Sequence, residues 1–275
     1  MIFGNYINGE WRTAGATFEN RNPANTHEVV GQFVKGTAKD VAEAADAAAA
    51  ALPGWSGMPG PARGALLFKA AEILDRDFEN VAADMTREEG KTLPEAKGEV
   101  RRAINIFRYF AGEGSRMPGM LVPSERDRVH MFALRKPIGV VGLITPWNFP
   151  SAIPAWKLAP ALICGNTVVV KPASAAPLSA WRIVEALHHA GVPKGVVNFV
   201  AGSGGEIGKA LVNAAPLKAV SFTGSCEIGN WLHGEASKRR LRIQLEMGGK
   251  NPTIVLGDAD FNSAVENVVN AAFFS

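Results

Sequence analysis

Four short runs combine residue types that can hold an anion, move a proton or stabilise a developing negative charge. In Thr145-Pro-Trp-Asn-Phe-Pro150, two prolines stiffen a loop that presents Asn148. Its amide N–H can donate to an oxyanion, although a well-packed turn would use the same residues. Lys171-Pro-Ala-Ser174 puts a lysine at the end of an apolar run, suited to a ribose or phosphate contact or to reaching solvent. Phe222-Thr-Gly-Ser-Cys-Glu-Ile-Gly229 brackets a turn into a helix with glycines, and the free amides and dipole of a helix N-terminus favour phosphate. Its spacing lacks the Lys-Ser/Thr of a P-loop and the G-x-G-x-x-G of a dinucleotide fingerprint, which Gly202-Ser-Gly-Gly-Glu-Ile-Gly208 also misses by one position. In Leu245-Glu-Met-Gly-Gly-Lys250 a carboxylate stands among apolar residues. That setting invites a raised pKa and general-base work, with a salt bridge from Glu246 to Lys250 as the alternative.

The elements that must position these runs follow from hydrophobic periodicity. Asn8-Gly9, between Tyr6-Ile7 and Glu10-Trp11, signals a two-residue hairpin. Helical spacing predicts an alanine-rich helix over 38–51 after Thr37 as N-cap, a second over 62–89 and a third over 94–110 with proline in its first turn. Residues 117–136 read as two short strands around a charged turn, an excursion from the core. From 137 onward short apolar strands alternate with helices: strands at 138–144, 167–171, 196–200, 219–222 and 242–245, helices at 151–163, 178–189, 205–212 and 226–237. That alternation predicts βαβ units in a buried parallel sheet, hence an α/β, doubly wound fold with an antiparallel hairpin excursion. Ligands of such sheets sit at the carboxyl ends of the strands, where all four runs fall.

Composition sets the outer bounds. Of 275 residues 47% are hydrophobic and 20% charged, enough for a real core and against disorder. A net charge of +3, spread along the chain, offers no basic stripe for nucleic acid. No run is long and apolar enough for a transmembrane helix, no signal peptide is visible at the N-terminus, and two cysteines make no disulfide framework. A cytoplasmic protein without membrane contact is expected. His188 and His189, adjacent on a helix, diverge by about 100°; with no H-E-x-x-H or Cys-His cluster, no metal is expected.

Taken together, Pro146-Trp-Asn-Phe-Pro150, Val170-Lys-Pro-Ala-Ser174, Phe222-Thr-Gly-Ser225 and Leu245-Glu-Met-Gly-Gly-Lys250 resemble the NAD(P)-dependent aldehyde dehydrogenase superfamily, in order and at family spacing over the whole chain. The resemblance implies a Rossmann-like fold of that type, and oxidation of an aldehyde to an acid through a thiohemiacetal, hydride transfer to nicotinamide and thioester hydrolysis. It implies Asn148 as oxyanion donor, Glu246 as base, and Lys157 as a lysine supporting proton movement. It places Lys171 and Ser174 at the adenosine ribose, Ser225 with Gly224 and Gly229 at the pyrophosphate, and Thr223 beside the nicotinamide. Ile144, Trp147, Ile228 and Met247 line the cofactor groove. NADP or NAD is the implied cofactor, with serine at 174 leaving room for the 2′-phosphate. A homodimer or homotetramer is the implied assembly.

The same resemblance divides the chain. Residues 1–117 would open the cofactor-binding domain, 118–136 form an oligomerisation hairpin and 137–249 the dinucleotide-binding units. Residues 250–275 would start a catalytic domain truncated before its nucleophile, a cysteine expected about five residues beyond Phe273-Phe-Ser275. Cys164 reads as a small buried hydrophobe, and Cys226 lies on the cofactor side, so neither replaces it. An inactive NAD(P)-binding module is the alternative reading. The missing G-x-G-x-x-G and Tyr-x-x-x-Lys argue against a third reading, an alcohol-type Rossmann dehydrogenase. Gly98-Glu-Val-Arg-Arg102 ahead of Arg108 most resembles the α-ketoglutaric semialdehyde (2,5-dioxopentanoate) dehydrogenases. Succinate-semialdehyde or broad-range enzymes are the alternatives. Arg102, with Phe149 and Trp156, would line the aldehyde tunnel and select a distal carboxylate, leaving Arg108 for structural pairing. Otherwise Arg102 pairs with Glu99.

Overall fold

A computed structural model describes residues 1–273; the last two residues of the Phe273-Phe-Ser275 stretch lie outside the described residues. The chain begins with strands β1 (Ile2–Phe3), β2 (Asn5–Ile7) and β3 (Glu10–Arg12). Asn8 and Gly9 both adopt positive φ (52° and 84°), which the two-residue turn joining β2 to β3 requires. Strands β4 (Thr17–Arg21) and β5 (Val29–Val34) follow and form a three-stranded sheet in the order β1-β5-β4, which the periodicity of the sequence does not predict.

Four helices come next: α1 (Ala38–Gly57), α2 (Gly60–Arg76), α3 (Phe78–Glu89) and α4 (Leu93–Glu113). Thr37 caps α1 as expected, in a reciprocal box with Asp40, and Thr92 with Glu95 does the same for α4. The single helix expected over 62–89 is two: Asp77, at φ −95° and ψ 14°, breaks the helical repeat between α2 and α3. Strands β6 (Met120–Pro123) and β7 (His130–Ala133) form the expected hairpin excursion, exposed along its whole length, with Leu121 78% and Phe132 68% accessible.

Beyond it the alternation appears as expected: β8 (Val140–Ile144), α5 (Ala152–Ile163), β9 (Thr167–Lys171), α6 (Leu178–Ala190) and β10 (Val197–Phe199). The helix expected over 205–212 is instead a π-helical turn, Gly204–Gly208, running into the short α7 (Lys209–Asn213). Then come β11 (Leu217–Gly224), α8 (Cys226–Lys238), β12 (Arg242–Met247) and α9 (Phe261–Phe273). None of α9 is buried, so its apolar residues Phe261, Val265, Val268 and Val269 face solvent.

The main sheet has seven strands in the order β12-β11-β8-β9-β10-β2-β3. Strands β8 to β12 are mutually parallel, and the β2–β3 hairpin adds antiparallel to β10. Side chains alternate across it. Val141, Leu143, Val168 and Val170 pack into a core under α2, α4, α5 and α6. Val140, Ile144, Val169 and Val220 pack on the opposite face against α1, α7 and Leu232 of α8. The N-termini of α5 and α6 are each closed by a buried glutamate from another helix. Glu99 accepts the Ser151 and Ala152 N–H groups, and Glu88 accepts those of Leu178 and Ser179. Both satisfy orphan amides that the sheet-facing helix ends would otherwise bury.

The order of connections sets where ligands can reach the sheet. Strands β8, β9 and β10 are laid down in one direction, and the chain then returns to place β11 on the other side of β8. Between the carboxyl ends of β8 and β11 the neighbouring loops leave in opposite directions and a crevice opens.

Candidate active site

That crevice is a cleft of about 900 Å³. The ends of four adjacent strands form its floor. Ile144 stands beside Lys171 on one side and Phe222 on the other, and Thr223 pairs with Glu246 on β12. The 145–148 loop and the first turn of α8, Ser225 to Ile228, form its walls, with Met247 and the 204–208 turn at the rim. Of the residues singled out from sequence, it brings together Ile144, Trp147, Asn148, Lys171, Thr223, Gly224, Ser225, Ile228, Glu246 and Met247.

Local structure explains each placement. Ser225 is the N-cap of α8: its Oγ accepts the Ile228 N–H at 3.3 Å and keeps its own proton to donate. Gly229 does not line the cleft but lets α8 approach β12, because a Cβ there would sit 2.3 Å from Met247 Sδ. Lys171 is 6% exposed, and its amino group has no hydrogen-bond or ion-pair partner among the described residues. Burial brings its pKa down to about 8. A desolvated amino group at the cleft edge is a donor set up for an external acceptor rather than a lysine reaching to solvent. The Asn148 side chain is exposed and likewise makes no hydrogen bond within the described residues.

Three expectations need amendment. The burial invoked for Glu246 is absent: the residue is exposed and accepts a hydrogen bond from Gln244 Nε2 at 2.6 Å. It makes no ion pair with Lys250 either; β12 leaves the sheet edge open there, so no apolar packing encloses the carboxylate. Arg102 does not pair with Glu99, whose two oxygens are taken by Lys91 and by the start of α5. Arg102 instead lies 5.4 Å from the Trp156 ring centroid. Arg108, with Arg101, holds Asp75 at 2.6 Å, the structural pairing expected of it, and these two hydrogen bonds keep the Asp75 carboxyl below its ordinary pKa.

Several site residues stand apart from the cleft. Ser174 donates to the Gly202 carbonyl at 2.7 Å, tying the turn after β9 to the glycine-rich segment. Lys157 lines a separate cavity of about 470 Å³, where burial lowers its pKa to about 8 against the opposing pull of Glu246. Its Nζ donates to Ser221 Oγ at 2.7 Å and to Gln244 Oε1 at 3.3 Å. Gln244 in turn reaches Glu246, so a hydrogen-bonded chain connects the second cavity to the cleft. Phe149 lies under Lys91, outside the cleft lining.

Sequence reasoning missed Thr145, Lys209 and Trp231 in the lining. Trp231 falls three residues after Ile228, one helical turn along the same face of α8, which was the available signal. Thr145 Oγ1 is buried without a partner, a polar atom that an occupant of the cleft could satisfy. Cys226 lines the cleft and donates its thiol to the Gly248 carbonyl at 3.2 Å, while Cys164 is half-buried and held above its ordinary pKa by desolvation. No group of three or more His, Cys, Asp or Glu side chains converges on a metal-sized site among the described residues. No helix among them is long and apolar enough to cross a membrane.

A largely apolar cleft lined by a helix N-terminus, an unpartnered amino group, an amide and a carboxylate suits a dinucleotide and a polar reaction beside it. The profile described as "Aldehyde dehydrogenase family" matches residues 11–275. The chain belongs to the aldehyde dehydrogenase family. Among its relatives is the alpha-ketoglutaric semialdehyde dehydrogenase of Bacillus subtilis, 47% identical over 273 residues, covering 98% of this chain and 56% of that protein. The NADP(+) succinate-semialdehyde dehydrogenase of Escherichia coli is 40% identical over 269 residues, with 97% and 56% covered. The fold is matched by betaine aldehyde dehydrogenase from Staphylococcus aureus in complex with NAD+, at a TM-score of 0.95 and 36% identity over 98% of this chain and 55% of that one. The chain thus spans a little over half the length of the relatives it matches.

Proposed function

We propose that residues 1–275 form the cofactor-binding part of an NAD(P)-dependent aldehyde dehydrogenase that oxidises a carboxylated semialdehyde of the 2,5-dioxopentanoate type. The observation that carries the reading is the convergence of Asn148, Thr223, Glu246 and the first turn of α8 on one cleft at the switch point of the sheet. Relatives whose names specify α-ketoglutaric semialdehyde oxidation support the substrate class.

The cleft residues divide the work by chemistry. Ser225 and the first amides of α8 hold a pyrophosphate, Lys171 donates to the adenosine ribose, and Ile144, Trp147, Ile228 and Met247 provide apolar walls. Thr223 sits where the nicotinamide end would lie, and a bound NAD(P) supplies a two-electron hydride acceptor. Asn148 donates its amide N–H to the oxygen that becomes negative when a thiol adds to the aldehyde carbon. Glu246 accepts a proton from the thiol or from the hydrolytic water, and the N–H donated by Gln244, itself held by Ser221 and Lys157, orients its carboxylate. The exposed β6–β7 hairpin, with Leu121, Phe132 and Leu134 uncovered, fits an edge for homo-oligomer assembly.

Two substitutions test the specificity assignments in the enzyme that carries this chain. Ser174, half-buried and uncharged, follows Lys171 on the turn after β9, a place we assign to the adenosine ribose, and both NAD and NADP are expected to be accepted. Ser174→Glu places a carboxylate where a 2′-phosphate would bind, and kcat/KM for NADP relative to NAD is expected to fall about 10-fold or more, roughly 1.4 kcal/mol. An unchanged ratio would remove Ser174 from the ribose site.

Arg102 makes no ion pair among the described residues and stacks on Trp156, so its guanidinium is free to take a carboxylate. Arg102→Leu is expected to lower kcat/KM for carboxylated semialdehydes by about 10- to 100-fold, with an uncharged aldehyde of similar length nearly unaffected. Equal losses on both substrates would make this arginine a packing residue and withdraw the acidic-substrate assignment.

A further inference from the structure

The loop that carries Asn148 is held by two buried charges from outside the cleft. Lys91 Nζ donates to Glu99 Oε2 at 2.7 Å and to the backbone carbonyl of Asn148 at 2.9 Å, and it lies 4.5 Å from the Phe149 ring centroid. The other Glu99 oxygen accepts the Ser151 N–H at 2.8 Å and the Ala152 N–H at 2.9 Å. Both side chains are 2% exposed, and Glu89, at 3.6 Å, adds a second carboxylate beside Lys91. The Thr92–Glu95 capping box fixes the turn before α4, so Lys91 enters from that turn and Glu99 from the second turn of the helix.

An ion pair taken out of water is a weak source of stability, and a well-packed apolar pair of similar volume folds as well or better. An apolar pair cannot fix a carbonyl at residue 148 and two amides at 151 and 152. Here the two side chains touch four of the five residues from Asn148 to Ala152, which include the candidate oxyanion donor and the start of α5. We propose that Lys91 and Glu99 are positioning residues that set the height and direction of Asn148 above the cleft, acting through its backbone rather than through substrate. The proposal deepens the reading of Asn148 as oxyanion donor and rests on it.

Position and simple stability are separated by the apolar double variant Lys91→Met/Glu99→Leu, made in the enzyme that contains this chain. It strands neither Lys91 nor Glu99 but uncovers the Ser151 and Ala152 amides and the Glu89 carboxylate, so its thermal midpoint should fall, and kcat is read well below that midpoint, where the variant is folded. The double variant is expected to lose about 10-fold or more in kcat, by displacing an oxyanion donor. Its dissociation constant for NADP, measured by fluorescence titration, should change less than about threefold, well under the 1.4 kcal/mol that a tenfold change represents. Combined with Asn148→Ala, it should lose no more than Asn148→Ala alone, because both changes act through one donor. Retention of the parent kcat by the double variant overturns the proposal.

Failure of the underlying reading looks different. If Asn148→Ala alone leaves kcat intact, the oxyanion assignment is wrong, and the positioning claim is judged by amide hydrogen exchange. Faster exchange confined to residues 148–152 in the double variant supports positioning; exchange unchanged there overturns it.

Discussion

Asn148→Ala is expected to lower kcat by about 10²- to 10³-fold while leaving the fold and cofactor affinity unaltered. The separation follows from how the residue is held. Its backbone carbonyl is fixed by Lys91, an anchor that alanine retains, and its side chain makes no hydrogen bond within the described residues that truncation could break. The loop is further confined by Pro146 and Pro150, the latter buried, so the backbone has little room to relax after the change. What alanine removes is an N–H donor at the mouth of the cleft, whose value appears only when a neighbouring oxygen becomes negative. Steady-state kinetics with a saturating aldehyde, alongside thermal unfolding and NADP titration, reads all three. A kcat within threefold of the parent would return Asn148 to the role of a packed turn. A loss accompanied by a collapse of thermal stability would point to the loop's packing instead.

The parallel core was legible because it obeys a simple rule. Strands buried on both faces are short and mostly apolar, and Val140–Ile144 and Thr167–Lys171 are buried at every position. Once those strands are placed, chain order alone puts the four chemically distinctive runs at one crevice, because all lie at carboxyl ends. The three-stranded β1-β5-β4 sheet was not legible. Glu19, Arg21 and Gln32 break the apolar pattern, since one side of that sheet is exposed. The division at Asp77 was missed because the apolar positions Leu74, Phe78 and Val81 keep nearly helical spacing across the break. Most telling is Glu246, whose flanking leucine and methionine suggested burial. Neighbours in sequence point to opposite faces of a strand, so Leu245 packs inward while Glu246 is exposed. The Lys91–Glu99 pair was invisible for another reason: its meaning lies in contacts across about 50 residues of chain, to a carbonyl and two amides that carry no side-chain signature.

Glu246→Gln should give the other large effect, a fall of about 10²- to 10⁴-fold in the rate of the step that needs a base. Glutamine preserves the local structure, because Glu246 contributes an oxygen that accepts the Gln244 Nε2–H, and a side-chain amide has an oxygen to do the same. It cannot take up a proton. Exposure matters for the interpretation. With no apolar enclosure, the carboxylate acts through its position beside the cleft. Lys157, whose ammonium burial destabilises to a pKa of about 8, stands one hydrogen-bonded residue away through Gln244. The step affected can be read from pre-steady-state kinetics. If Glu246 activates the thiol, the initial burst of reduced cofactor should slow with kcat. If it activates the hydrolytic water, the burst should keep its rate while turnover falls and an acyl-enzyme accumulates. A variant with parent-like burst, turnover and pH profile would leave Glu246 as a wall of the cleft rather than the base.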